Sequence, residues 1–345
     1  MMHGWVHSKR RLAILSADLS AAALLSSRFE RPVFLMGAPR SCSTLLFQTL
    51  SQSAHLWSIG DESHHLIEQY PQLNPLATAE SNRLTAASLD DSLAQAMMLA
   101  FSTQLCDRDG RRPPPVGVIR LLEKTPKNSL RIPFLNALFP DALFIHLVRD
   151  PKENLSSIMD AWRSRRFVTY PTLGTVNGPW SLLLPPGWRD QLNSPLEAVA
   201  AFQWCAAHRH ILDDLRTLAP GRHVTVNAAE LLQNPRALVD KLFEFIGLPV
   251  DPRFADYLAQ PLPLSEHTLT PPQADKWRCN DAALARAWPQ VEAMVVELNA
   301  ALDVGTPPLD CAPPVVLGTA AALGRNSPCH CGSGLRYKAC HGQLP

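Results

Sequence analysis

The sequence predicts an α/β fold built on parallel strands, with a small metal-binding module at its C-terminus. Three observations support this prediction. Residues 32–46 run from a short apolar strand through a loop of small and hydroxyl residues into the apolar start of a helix. Residues 142–148 are nearly all apolar, as expected of a parallel strand buried on both faces. Residues 329–345 hold three of the eight cysteines, which indicates a local metal site.

The overall composition indicates a globular chain with one large domain and a smaller addition. Of its 345 residues, 46% are hydrophobic and 18% are charged, which is enough to bury a core. The net charge of +1 disfavours a strongly basic surface, so no nucleic-acid partner is expected. The sequence holds no run of about 18 apolar residues, so no membrane span is expected. Scattered single cysteines indicate a reducing compartment, and we expect a cytoplasmic protein.

The first 30 residues are expected to form a helical segment ahead of the core. A basic patch at residues 9–11 precedes apolar residues 12–15, as in a signal peptide. Asp18 interrupts the apolar run, however, and no cleavage site follows. An amphipathic helix within residues 1–30 is therefore the better interpretation.

The loop at residues 37–44 has the character of an anion site. A strand that turns into a helix aims several backbone N–H groups at one point, in front of the positive end of the helix dipole. The loop keeps the first Gly and the final Thr of the phosphate loop GxxxxGK[ST], but has Cys42 for the second Gly and Ser43 for the Lys. Transfer from ATP normally uses that Lys with Mg²⁺, which disfavours a kinase. Arg40 supplies positive charge instead, and its planar fork suits phosphate or sulfate.

Residues 37–46, GAPRSCSTLL, resemble the 5′-phosphosulfate loop of sulfotransferases, usually GxPRSGTTLL. The resemblance implies a P-loop-like parallel sheet with helices on both faces. It also implies 3′-phosphoadenosine-5′-phosphosulfate (PAPS) as the sulfuryl donor. The departure is Cys42, because replacing Gly removes the freedom to adopt positive φ. The residues expected to bind PAPS in this loop are Pro39, Arg40, Ser41, Cys42, Ser43 and Thr44.

Residues 60–65 hold four titratable side chains in a lightly charged chain. One interpretation is a polar turn and helix cap. The other is chemical, because an acceptor hydroxyl needs a base as it attacks. In the tyrosylprotein branch of the family the base is a Glu in a comparable Gly-Glu context, so the resemblance implies Glu62. Asp61 leaves some ambiguity about which carboxylate it is. His64 and His65 are rivals, since small-molecule sulfotransferases use a His.

A second strand is expected at residues 116–122, after a largely helical stretch at residues 66–110. It leads to Lys124, at the end of a strand where open α/β sheets bind ligands. The alternative is a solvated lysine. In sulfuryl transfer, charge builds on the bridging oxygen of the leaving phosphate. Lys124, Arg40 and the backbone N–H groups of residues 41–44 are candidates to stabilise that charge.

The third strand, residues 142–148, runs into Arg149 and a helix at residues 152–164 that carries Ser157. Sulfotransferases bind the 3′-phosphate of PAPS with an Arg at the end of such a strand and a Ser eight residues later. The resemblance therefore implies these roles for Arg149 and Ser157. His146, inside the strand, is expected to be a core histidine.

The remaining chain is assigned more coarsely. Residues 163–195 are expected to form an irregular lid or acceptor-side wall. Helices are expected at about residues 194–218 and 282–302, with a strand at 223–226 between them. The expected domains are an N-terminal segment (1–30), a sulfotransferase domain (31–303), a linker (304–323) and a zinc-binding motif (324–345).

The tail carries the most specific motif in the sequence. Cys329, Cys331, Cys340 and His341, spaced CxC-x8-CH, can surround Zn²⁺ as a closed tetrahedron. So short a segment must take its folding energy from the metal. His330 is a weaker candidate than His341. The tail closely resembles the SEC-C motif of the preprotein translocase ATPase SecA. A closed site implies a structural zinc, and a protein partner for the tail is possible.

Together these features predict a PAPS-dependent sulfotransferase acting on a hydroxyl or amine acceptor. The acceptor stays open between a peptide tyrosine, a small molecule, a carbohydrate and a lipid. One alternative is a P-loop-type nucleotide kinase, which requires ATP and Mg²⁺. The other is a catalytically inactive nucleotide-binding scaffold that acts through its zinc tail.

Overall fold

The fold is built on a four-stranded parallel sheet. The computed structural model describes residues 28–273 and 275–315, with positions 326 and 336. Most of the expected N-terminal segment and the four expected zinc ligands lie outside these residues. The strands are β1 (Val33–Met36), β2 (Leu122–Lys124), β3 (Leu143–Val148), β4 (Val168–Thr175), β5 (Gly178–Ser181) and β6 (His223–Asn227). Four of them form the parallel sheet in the order β2-β1-β3-β6, and β4 pairs with β5.

The described residues form eleven α-helices. They are α1 (Ser43–Leu50), α2 (His64–Glu68), α3 (Pro75–Thr78), α4 (Asp91–Gln104), α5 (Ile132–Leu138), α6 (Pro151–Ser164), α7 (Leu196–Leu215), α8 (Ala228–Gln233), α9 (Pro235–Ile246), α10 (Pro252–Leu258) and α11 (Asp281–Ala301). None of the described helices is long and apolar enough to cross a membrane.

Helices cover both faces of the sheet because successive strand residues point to opposite sides. Val33 and Leu35 of β1 belong to a core formed with α1, α9 and α10. Phe34 and Met36 of the same strand belong to a second core, formed with α4, α5 and α7. Both faces of β1 are therefore buried, as the apolar run of this strand predicts.

The second strand lies later in the chain than the sequence predicts. Residues 116–122 have the apolar pattern, but Val116 and Val118 are 76% and 54% exposed. The ladder with β1 instead runs through Glu123 and Lys124. These two charged residues can lie in a strand because each has polar partners at the sheet edge, described below.

Part of the expected irregular stretch is a β-hairpin. β4 and β5 pair antiparallel, with Tyr170 opposite Trp180. Both rings are buried, and the Trp180 ring packs edge-on against Trp162 of α6 with centroids 5.4 Å apart. The prediction of an irregular segment is therefore wrong here, because aromatic side chains fix the hairpin to the core.

Candidate functional site

The loop between β1 and α1 is fixed at its first residue, Gly37. A Cβ on Gly37 would lie 2.7 Å from the carbonyl oxygen of Leu147 and 2.7 Å from Ser41 Oγ, so only glycine fits. Ser129 Oγ donates to the Gly37 carbonyl at 2.6 Å and accepts from the Gly37 N–H at 3.2 Å. The start of the loop is thus tied to the segment that follows β2.

Cys42 adopts a positive φ although it is not a glycine, so the expectation that replacing Gly excludes this conformation is wrong. Its φ of 70° and ψ of 12° are left-handed, and Arg40 has a φ of 68°. A non-glycine residue in this region costs roughly 1–2 kcal/mol. Cys42 makes no side-chain cap bond to α1, and the buried Ser41 Oγ has no hydrogen-bond partner among the described residues. The loop therefore contains two non-glycine residues in a strained backbone conformation.

Arg40 lies within the loop, and its guanidinium has contacts on three sides. Its Nε donates to Ser157 Oγ at 3.3 Å, and an Nη donates to the carbonyl oxygen of His267 at 2.9 Å. The guanidinium carbon also lies 4.7 Å from the centroid of the Phe167 ring. The orientation of this cation is therefore fixed by its neighbours.

The two residues expected at the 3′-phosphate lie together with Arg40. Arg149, just after β3, donates to the Arg40 carbonyl oxygen at 3.0 Å, while Ser157 contacts the Arg40 side chain. Arg149 also pairs with Glu153, one turn along α6, at 3.0 Å. An anion binding at Arg149 must therefore compete with the Glu153 carboxylate.

Lys124 and Glu62 form an ion pair at the end of β2. Lys124 Nζ lies 2.8 Å from Glu62 Oε1, and their side chains are 4% and 22% exposed. His64 Nδ1 lies 3.6 Å from the other oxygen, Oε2. Burial alone would raise the pKa of Glu62, but the nearby His64 and the hydrogen-bonded Lys124 ammonium outweigh burial and lower the pKa to about 2. The carboxylate is therefore ionised and occupied by its neighbours.

Three other titratable residues do not pair with Lys124: Asp61 and His65, which are rivals of Glu62 for the base, and His146, which is expected in the core. The Asp61 carboxylate accepts the N–H of Glu62 at 2.7 Å and is exposed. His65 contacts the Glu62 carbonyl oxygen and Gln104. His146 is fully buried, 3.0 Å from His208, and burial lowers the pKa of His146 to about 3. Of the carboxylates in the run at 60–65, Glu62 is thus the one paired with Lys124.

A second buried ionic cluster lies beyond Lys124, and sequence reasoning missed it. Glu68 of α2 pairs with Lys127 at 2.8 Å and with Arg131 at 2.6 Å. The Lys127 ammonium also lies 4.7 Å from the centroid of the Tyr170 ring. Lys127, three residues after Lys124, is the part of this cluster that the local sequence shows. Its partner Glu68 lies 59 residues earlier, so the local sequence does not reveal the ion pair.

A cavity of about 590 Å³ opens beside Glu153 at the start of α6. Lys152 lines it, with its ammonium 5.3 Å from the centroid of the Trp277 ring and in contact with Asp310. Leu309, the residue before Asp310, is 4% exposed. The chain after α11 therefore packs onto α6 at this point.

The expected zinc ligands, Cys329, Cys331, Cys340 and His341, lie outside the described residues. Within the described part of the chain, no cluster of three or more His, Cys, Asp or Glu side chains could hold a metal ion.

Comparison with known proteins gives two matches to family models. The model described as "Sulfotransferase family" matches residues 32–252, and that of the SEC-C motif matches residues 325–343. The SEC-C resemblance is therefore confirmed. No curated protein matches the chain.

Solved structures give the fold. The sulfotransferase STF9 from Mycobacterium avium is 15% identical, over 86% of this chain and 84% of that chain, with a TM-score of 0.51. STF1 from Mycobacterium tuberculosis is 15% identical over 74% and 80%, with a TM-score of 0.41. A sulfotransferase from Alicyclobacillus acidocaldarius is 17% identical over 77% and 95%, with a TM-score of 0.41. The likeness to STF9 confirms the predicted α/β fold.

Proposed function

Because the chain belongs to the sulfotransferase family, we propose that it moves a sulfuryl group from PAPS to a hydroxyl or amine acceptor. The observation that carries this proposal is the meeting of Arg40, Arg149 and Ser157 beside the β1–α1 loop. Arg149 and Ser157 lie 109 and 117 positions after Arg40 in the sequence, and the fold brings all three together. There they can bind two anionic groups of one ligand.

In this proposal the loop and Arg40 hold the 5′-phosphosulfate of PAPS. Pro39 shapes the loop, and Ser41, Cys42, Ser43 and Thr44 present their backbone N–H groups, as helix N-termini do for anions. Arg149 and Ser157 bind the 3′-phosphate, and Arg149 exchanges Glu153 for that phosphate. Charge-assisted bonds from a planar guanidinium suit both anions.

We propose that Lys124 and Glu62 divide the chemistry between them. The acceptor oxygen forms a bond to sulfur as the bond from sulfur to the bridging oxygen breaks. Adenosine 3′,5′-bisphosphate leaves with the electron pair, and Lys124 and Arg40 stabilise the charge on it. Glu62 takes the acceptor proton at Oε1, the oxygen that Lys124 contacts in the resting protein. When Lys124 turns to the leaving group, Glu62 loses a cationic partner and becomes a stronger base.

Isothermal titration with adenosine 3′,5′-bisphosphate, and separately with ATP and Mg²⁺, tests the proposal. We expect binding of the bisphosphate and no binding of ATP. Transfer of labelled sulfuryl groups from PAPS to a tyrosine peptide and to small phenols then tests turnover. A preference for ATP would indicate the kinase alternative. Bisphosphate binding without turnover on any acceptor would indicate the inactive scaffold.

Arg149→Ala is expected to raise the Kd for adenosine 3′,5′-bisphosphate by about ten-fold or more, and Ser157→Ala by less. Losing a charge-assisted hydrogen bond costs about 1.5–3 kcal/mol. Titration of the bisphosphate and of adenosine 5′-phosphate into each variant measures the contribution of the 3′-phosphate. Arg216→Ala, which removes an exposed arginine paired with Asp213, is the matched control. An Arg149→Ala variant that keeps the wild-type preference for the 3′-phosphate would contradict the assignment.

We also propose that Cys329, Cys331, Cys340 and His341 hold a structural zinc ion in a separate module, residues 324–345, and that residues 304–323 link it to the sulfotransferase domain. The donor set, three thiolates and one imidazole, fits Zn²⁺ and fills all four positions. Such a module suits recruitment of a protein partner. The few isolated cysteines elsewhere support a cytoplasmic location.

Removing residues 324–345 is expected to abolish stoichiometric zinc and to leave the Kd for adenosine 3′,5′-bisphosphate within a few-fold. The cut preserves Leu309 and the contact of Asp310 with Lys152. Metal analysis and titration of the full-length and shortened proteins measure both effects. Loss of bisphosphate binding by a shortened protein that still folds would contradict the two-module organisation.

A further inference from the structure

We infer that Glu123, a buried carboxylate with no role in the mechanism above, is a positioning residue that fixes the peptide carrying Glu62 against the end of β2. The inference rests on the proposed function, because it concerns the placement of the proposed base. Glu123 is 1% exposed, and its neighbour Lys124 directs its ammonium to Glu62 instead.

Three neutral side chains hold the Glu123 carboxylate. Ser63 Oγ donates to Oε1 at 2.6 Å, and Thr125 Oγ1 donates to the same oxygen at 2.5 Å. Asn128 Nδ2 donates to Oε2 at 2.8 Å. All three partners are fully buried. Burial raises the pKa of Glu123, and these bonds only partly oppose that effect. Replacing the carboxylate together with its polar partners by apolar side chains of similar shape can be neutral for stability, so stability alone does not account for this cluster.

Contacts to β2 hold Glu62 and Ser63 on opposite faces of the sheet, at the end of that strand. Glu123 and Lys124 are consecutive strand residues, so their side chains point to opposite faces. Ser63 bonds to Glu123 on one face, while Glu62 pairs with Lys124 on the other. The N–H of Ser63 also donates to Thr125 Oγ1 at 2.7 Å. The peptide therefore has little freedom to move Glu62 away from Lys124.

The surroundings of Glu62 make its titration a direct reporter of this placement. The charged or titratable groups that face it are Lys124 on β2, His64 on α2 and Lys127 beyond β2. The two closest, Lys124 and His64, lower the pKa of Glu62 to about 2 against the effect of burial. If the Ser63 contact is lost, Glu62 moves relative to both groups and its pKa rises towards the ordinary value.

Ser63→Ala tests the inference, because it removes one bond and leaves Glu123 with Thr125 and Asn128. We expect kcat to fall by about 10–100-fold, as misplacement of a catalytic group does, while the bisphosphate Kd stays within about two-fold. Carboxyl NMR of the unliganded protein should show a higher Glu62 pKa. Glu123→Ala should also lower kcat and raise the Glu62 pKa. Glu123→Gln should restore most of kcat, because its amide oxygen can still accept from Ser63 and Thr125, although its amide nitrogen cannot accept from Asn128. Ser53→Ala, a buried serine whose Oγ accepts the N–H of His55, is the control.

The outcomes separate this inference from the proposed function. An unchanged Glu62 pKa in Ser63→Ala overturns the positioning role, whatever the activity. A raised pKa in a protein that transfers no sulfuryl group supports the positioning role and overturns the proposed function instead. If Glu123→Ala does not fold, the Glu62 pKa in Ser63→Ala still tests the positioning role.

Discussion

Glu62→Gln is expected to lower kcat by about 10²–10⁴-fold, with the bisphosphate Kd within a few-fold of wild type. Glutamine keeps the shape of the side chain but cannot accept a proton from the acceptor. The loss should appear in kcat, because Glu62 lies next to Lys124 and not in the group formed by Arg40, Arg149 and Ser157. Steady-state transfer from PAPS and titration of the bisphosphate measure the two quantities.

Asp61→Asn is the matched control for this experiment. It also removes a carboxylate, one residue earlier and exposed to solvent, and is expected to change kcat by less than about two-fold. If Glu62→Gln turns over normally and His64→Ala or His65→Ala does not, the base is a histidine.

Lys124→Met is expected to lower kcat by about 10²–10³-fold, because a fixed cation at the leaving group is lost. It should also change how stability depends on pH. The pKa of Glu62 is lowered from 4.5 to about 2 on folding, so its ion pair stabilises the wild type above pH 4.5. That contribution disappears as the pH falls towards 2. In Lys124→Met the pKa lies closer to its ordinary value, and less stability is lost over this range.

Urea unfolding at pH 7, 5 and 3 measures that second effect. Lys241→Met is the control, since Lys241 of α9 lies 3.9 Å from Glu230, outside the site. An acid dependence in Lys124→Met as steep as in wild type would show that Lys124 does not stabilise the Glu62 carboxylate.

The sequence predicts the strands and helices best where burial is two-sided. β3 is apolar except for His146, and the predicted bounds of β3, α6 and α11 each agree with the structure to within one residue. β2 was misplaced because it contains Glu123 and Lys124. Whether a charged residue can continue a strand depends on partners such as Ser63, about 60 residues away, which a local pattern does not reveal.

In the candidate site, too, local motifs were predictable from the sequence and contacts between distant residues were not. The loop and the Arg149–Ser157 spacing are local motifs, and the structure places these residues together. The partners of Glu62, Glu68 and Glu123 depend on which turns meet at the end of β2. Those contacts are set by tertiary packing, so the sequence identified Glu62 and Lys124 singly and missed the clusters around them.

The tie between Gly37 and Ser129 has a consequence for how the chain folds. These residues lie 92 positions apart, and the strands that bring them together are parallel and distant in sequence. Such long-range pairing forms slowly, because the loop-closure entropy is lost before the contacts are gained. The loop at residues 37–44 therefore acquires its shape only when the sheet is assembled, and partly folded chains lack this shape. A ligand of this loop therefore binds only the folded protein. At a concentration of 100 times its Kd, it raises the free energy of unfolding of the whole domain by about 2.7 kcal/mol.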